Sequence, residues 1–407
     1  FPEGGGVYTA ARQLSPTLSV IGATLLLCDY IVTAALSAVE AFHYMGVPPG
    51  LTVLLCVVTI AGIGVINWLG AKNAGRFALV IAIASLGASL IIGLMCLPLL
   101  PKGLSTVNTG HGSIGSPWQM WESLVRIVLA LSGVEAVANM TGLMKEPVAR
   151  TARRTIWPVL AEVVVLNMVF GIALNALPEM RGVEVPAYVV HEIEGKVAPE
   201  NVPDDVKAYR DTAVKMLATH TASNIFGPET GKVFGIVLAT IFAGLLLSAV
   251  NTAVMAMVSV MYSLGHDGEL PRRLTKLNYS GVPWVGLIIA CTLPVAVLLF
   301  EADAKALGEL YAIGVVGAIC INVLSCAANK HLAIKAWERR GLWALGALMA
   351  IIECTIVVAK PNATVFAASI IVIVLVFRFG MRFVKGAAVT PATAAEMQEL
   401  LTALEQE

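Results

Sequence analysis

The chain has 407 residues, 57% of them hydrophobic and only 13% charged, and its mean hydropathy is positive, a composition outside the soluble range that reads as an all-α integral membrane protein. The 27 basic residues are matched by 27 acidic ones, so there is no basic surplus for a nucleic-acid partner. All seven cysteines fall inside apolar stretches and the six histidines sit in connections or at span ends, which argues against a disulfide framework and gives no metal-ligand spacing.

The chain opens on Phe-Pro-Glu-Gly-Gly-Gly-Val-Tyr, without an initiator Met. This reads as the exit of an apolar element into a flexible, glycine-rich loop over residues 1–16, so an N-terminal truncation is expected. About 20 apolar residues span a bilayer, and ten stretches qualify: 17–42, 50–69, 75–99, 118–144, 155–178, 231–263, 283–300, 306–328, 342–359 and 362–384. Together they make a transmembrane domain over 17–385. Every second connection is basic, carrying Lys72 and Arg76, then Lys145, Arg150, Arg153 and Arg154, then Arg272, Arg273 and Lys276, then Lys330, Lys335, Arg339 and Arg340. The short loops between them hold only Lys102, Lys305 and Lys360. Basic residues accumulate on the cytoplasmic side, so both termini are expected there, in a multi-pass protein of the cell membrane. The long loop 179–231 is then external, with helical spacing from Asp204 to Thr219 that suits a lid. The tail 386–407 reads as a short acidic amphipathic helix in the cytoplasm.

Polar residues inside the spans mark where function is to be sought. Asp29, Thr33, Ser37 and Glu40 recur at steps of four and three, which keeps them on one helix face, with Tyr30 beside it. A face with two carboxylates and two hydroxyls looks at protein or water, not lipid. Carboxylate, hydroxyl and phenol oxygens are ligands for a hard cation and could equally hold an ammonium group. In Leu129 to Thr141, Glu135 stands at membrane depth just after Ser132-Gly133, residues that weaken a helix. A broken helix carrying an acid at mid-membrane is the device transporters use to bind ions. Ser248, Asn251 and Thr252 lie in the span from 231, and Glu309, Tyr311 and Asn322 in the span from 306. Taken singly, each of these suits helix packing as well as binding. Glu162 and Glu353 have no evident partner in the sequence.

Three motifs resemble the amino acid, polyamine and organocation permease superfamily: Pro2 to Tyr8, Asn67 to Arg76, and Gly133-Val-Glu-Ala followed by Lys145 to Arg150. The resemblance runs through most of the chain and implies the LeuT-type fold, two inverted five-helix repeats around a mid-membrane site on unwound helices one and six, usually with two further helices. The ten spans would then be helices three to twelve. Within the superfamily, Asp29, Tyr30, Thr33, Ser37, Ser132, Glu135 and Tyr311 are similar to positions lining the cation site of the potassium and proton symporter branch. Ser85 stands where several proton-coupled amino-acid permeases have a lysine. That leaves Glu135 for proton coupling and leaves a sodium site near Ser85, Ser248 and Thr252 conceivable.

The expectation is a secondary transporter moving a small solute with a coupled proton or sodium ion, with potassium the favoured substrate and an amino acid or polyamine the alternative. A sensor of the same fold stays open. A channel would need a continuous polar path, and an enzyme would need a nucleophile and base or a metal cluster, neither readable here. The expected partners are the bilayer and the solute or ion, with a homodimer left open; no cofactor is expected.

Overall fold

A computed structural model describes residues 6–70, 74–106, 116–127, 146–177, 204–332 and 334–388. These form helices α1 (Gly6–Arg12), α2 (Pro16–Met45), α3 (Pro49–Trp68), α4 (Ala74–Cys96), α5 (Leu100–Thr106), α6 (Pro117–Ile127), α7 (Val148–Leu174), α8 (Asp204–Phe226), α9 (Pro228–His266), α10 (Trp284–Phe300), α11 (Ala304–Ala328), α12 (Ala336–Ala359) and α13 (Pro361–Ala388). Short 3-10 turns occupy Leu97–Leu99 and Arg272–Thr275. Among the described residues the only strand-like pairing is an isolated bridge between Leu277 and Pro283.

Of the ten expected spans, eight correspond to helices long and apolar enough to cross a membrane. The stretch 283–300 forms a shorter apolar helix, α10, of 17 residues. The stretch 118–144 is described only as far as Ile127.

The helix ends follow local chemistry. Ser15 caps α2, its Oγ accepting from the Leu18 amide, with Pro16 in the first helical position and Gly46 ending the helix at φ 74°. Asp303 caps α11 by accepting from the Lys305 and Ala306 amides.

The core is centred on α2, whose apolar window is 83% buried. It packs chiefly against α9 and α11, and α11 in turn against α12. The register of α2 against α11 can be followed through three close approaches. Gly22 faces Ile321, Leu25 faces Gly317, and Asp29 faces Gly314. Numbers rise on one helix as they fall on the other, so the pair is antiparallel. A second cluster joins Ala88, Ile92 and Cys96 of α4 to Leu217 and Ala218 of α8 and Leu238 of α9.

Two expectations about loops are corrected. The stretch read as a loop over 1–16 contains α1, because Val7, Tyr8, Ala10 and Ala11 find buried positions against α2 and α11. Within the stretch 179–231, the expected helix runs on to Phe226 with a kink at Thr212, and α9 already begins at Pro228. Helix α8 lies along α9, which presents glycines at 231 and 235 to Ser223 and Thr219. Residues 178–203 and 389–407 lie outside the described residues.

Candidate functional site

The polar stripe of α2 sits at the centre of the core. Asp29 is 1% exposed, and Tyr30 and Ser37 are also buried. The Thr33 hydroxyl donates to Asp29 Oδ1 at 3.0 Å, a bond the four-residue spacing on one helix face permits. Glu40, nearer the end of the helix, is approached by His43 Nδ1 at 3.9 Å.

Opposite this stripe runs α11. A Cβ on Gly314 would stand 2.7 Å from the Asp29 amide nitrogen and 3.0 Å from Asp29 Cα and the Leu25 carbonyl, so the glycine lets the two backbones touch. Tyr311, one turn from Gly314 on the same face and buried, falls level with the Thr33 turn by the antiparallel register. The structure therefore brings Asp29, Tyr30, Thr33 and Tyr311 to one depth, at the middle of α2 and within the first third of α11, with Ser37 one turn further along. Ser132 and Glu135 lie outside the described residues.

The same register argument separates the three residues expected around sodium. Ile81 of α4 faces Gly244 of α9, while Ala88 and Ile92 share a cluster with Leu238, so α4 and α9 are also antiparallel. Ser85 then lies beyond this contact in one direction and Ser248 in the other, about 12 Å apart along the axes, with Thr252 about 18 Å away, at 1.5 Å per residue. Ser85 donates to the Ala82 carbonyl at 2.9 Å, and Thr252, which is exposed, to that of Ser248 at 3.0 Å. The structure does not assemble these hydroxyls into one site.

Other polar groups acquire partners that sequence spacing does not reveal. Asn67 of α3 donates to Asn251 Oδ1 of α9 at 2.6 Å. Trp121 Nε1 of α6 donates to Thr355 Oγ1 of α12 at 2.9 Å. Glu309 forms an ion pair with Lys360, which accounts for an acid that looked intramembrane in the sequence. Glu353 of α12 lies against Gly317, where a Cβ would meet its Oε1 at 3.0 Å, and its buried Oε2 has no hydrogen-bond partner. Gly317 is one turn from Gly314, so a second carboxyl approaches the helix that backs Asp29, a residue that pattern reading left unexplained.

At one end of the bundle a charged network ties helix ends together. The Tyr8 hydroxyl donates to Asp267 Oδ2 at 2.6 Å, and Arg12 pairs with the same carboxylate. Burial, then the bond to Asp267, pushes the Tyr8 phenol above the ordinary tyrosine range, so it remains a donor. Arg378 of α13, 1% exposed, donates to Glu269 Oε2 at 2.6 Å and to Thr17 Oγ1 at 2.9 Å.

Comparison with known proteins agrees with this architecture. The chain is similar to the potassium transporter KimA of Bacillus subtilis (strain 168), with 27% identity over 337 residues that cover 77% of this chain and 48% of that protein. It thus spans about half the length of that relative. The family model for amino acid permeases matches residues 1–395, and eight helices among the described residues are long and apolar enough to cross a membrane. This is a multi-pass membrane protein, and because the match takes in every described helix, the chain belongs to the amino acid permease family.

Proposed function

We propose that the protein is a secondary active transporter that moves potassium with a coupled proton by alternating access, on a LeuT-type fold of which the ten sequence spans are helices three to twelve. The observation that carries this reading is the level formed by Asp29, Thr33 and Tyr311. A carboxylate buried at mid-helix in a membrane protein costs several kcal/mol without compensation and marks an ion or substrate path. Here it is bonded by the Thr33 hydroxyl, and the register of α2 on α11 puts the Tyr311 turn at the same depth, which gives oxygen groups suited to a hard cation. Asp29 supplies the charge; Tyr30, Thr33, Ser37 and Tyr311 supply neutral oxygens. By the resemblance to the potassium and proton symporter branch, Ser132 and Glu135 belong to the same set of cation-site positions, and Glu135 is the residue proposed to carry the proton. KimA, named as a potassium transporter, is consistent with this substrate.

The second reading, an amino acid or polyamine as substrate, is favoured by the family's description. Ligand-dependent thermal unfolding of the purified full-length protein separates the two. Potassium is expected to raise the melting temperature and an amino acid and polyamine panel to leave it unchanged. Asp29→Asn is expected to weaken the potassium response tenfold or more, since bonds to charged groups contribute about 1.5–3 kcal/mol. Stabilisation by an amino acid instead, undiminished in Asp29→Asn, would transfer the conclusion to the second reading.

A further inference from the structure

The loop between α9 and α10 builds a groove whose lining includes none of the residues of the Asp29 level. A cavity of about 310 Å³ lies between Met255, Val258, Ser259 and Tyr262 of α9 and Leu277 and Pro283 of the loop. Its loop wall is braced: Asn278 Oδ1 accepts from the amides of Ser280 and Val282 at 2.9 Å, and Asn278 Nδ2 donates to the Trp68 carbonyl at 2.8 Å. The groove starts four residues before the end of α9 at His266 and reaches Met255, eleven residues before it. That is a depth of about 6 to 16 Å at 1.5 Å per residue, one leaflet of a hydrocarbon core about 30 Å thick.

Charge and aromatic residues fix which end faces the headgroups. Arg272, Arg273 and Lys276, directly before Leu277, are exposed, and among the described residues none of their cationic groups makes an ion pair or a side-chain hydrogen bond. The two nearest carboxylates in sequence are engaged elsewhere, Asp267 by Tyr8 and Arg12 and Glu269 by Arg378, so the positive charge at the groove mouth is not neutralised. Tyr279 is 81% exposed, and Trp284 packs edge-on against Trp68, the amphipathic rings expected at a membrane–water boundary.

We propose that this groove is a binding site for an anionic phospholipid, with an acyl chain between α9 and the loop and the phosphate headgroup on Arg272, Arg273 and Lys276. Basic residues at a membrane surface attract anionic headgroups at short range, and the braced apolar wall gives one chain a preformed seat. Native mass spectrometry of the detergent-purified full-length protein, offered equal amounts of phosphatidylglycerol and phosphatidylcholine, tests this. Phosphatidylglycerol adducts are expected to dominate, roughly tenfold or more. The triple variant Arg272→Gln, Arg273→Gln, Lys276→Gln is expected to lower them to the phosphatidylcholine level. Ser259→Phe, which fills the groove from an exposed position, is expected to lower both lipids with the basic residues intact, and excess inorganic phosphate is expected to displace neither. Equal binding of the two lipids by the wild type, or wild-type retention in either variant, overturns the proposal. Displacement by phosphate alone would reduce it to an anion contact and overturn the chain seat.

Discussion

At the scale of single residues, the approach of α2 to α11 depends on a missing methyl group at Gly314. A Cβ there would press on the Asp29 amide nitrogen at 2.7 Å and on the Leu25 carbonyl at 3.0 Å, backbone atoms that cannot swing aside. Gly314→Ala is expected to push α11 away from the polar stripe and lower stability by about 1–3 kcal/mol, the range for overpacking a core. At Gly308 of the same helix a Cβ would meet nothing within 4 Å, so Gly308→Ala should be neutral or slightly stabilising. Equal melting temperatures for the two variants in detergent would contradict the close approach. The polar stripe was legible in the sequence because a helix returns to the same face every three to four residues. Gly314 was not, because a glycine gains its meaning from the backbone that touches it. Glu309 shows the converse: its position in an apolar run leaves packing and binding both open, and Lys360, beyond the next helix, supplies its partner.

Among the elements, α13 is held by Arg378, whose guanidinium is buried with Glu269 and Thr17. Removing one member of a buried pair leaves an uncompensated charge, which typically costs about 3–5 kcal/mol. Arg378→Ala should therefore destabilise strongly, and adding Glu269→Gln should cost much less than the sum of the two single changes. Strict additivity in the unfolding free energies would mean that the two side chains do not depend on each other. The long apolar helices could be read from hydropathy alone, and their structural bounds lie within a few residues of the expected ones, except where polar cytoplasmic-type ends prolong the helix, as in α12 and α7. The elements missed or shortened were those that take their stability from neighbours. Helix α1 forms because its apolar residues find cover on α2 and α11, and α8 continues to Phe226 because glycines on α9 admit it. The expected sodium site has a related weakness: three hydroxyls at suitable helical positions say nothing about the register between two antiparallel helices.

For the whole molecule, the alternation of basic loops leads to the expectation that residues near Ser105 lie outside and residues near Tyr279 inside. Both positions are exposed. Ser105→Cys is expected to react with a membrane-impermeant thiol reagent on intact cells, and Tyr279→Cys only after permeabilisation. The reverse pattern would invert the topology and with it the leaflet assigned to the α9–α10 groove. The central claim is that the Asp29 level binds a cation that the protein moves across the membrane. Its most direct test is accumulation of labelled potassium or its rubidium surrogate by full-length protein in proteoliposomes with an imposed proton gradient. The account predicts accumulation above the equilibrium level, collapse when the gradient is dissipated, and a loss of tenfold or more in apparent affinity in Asp29→Asn. Wild-type accumulation in Asp29→Asn, or no potassium movement alongside robust uptake of an amino acid, would contradict it.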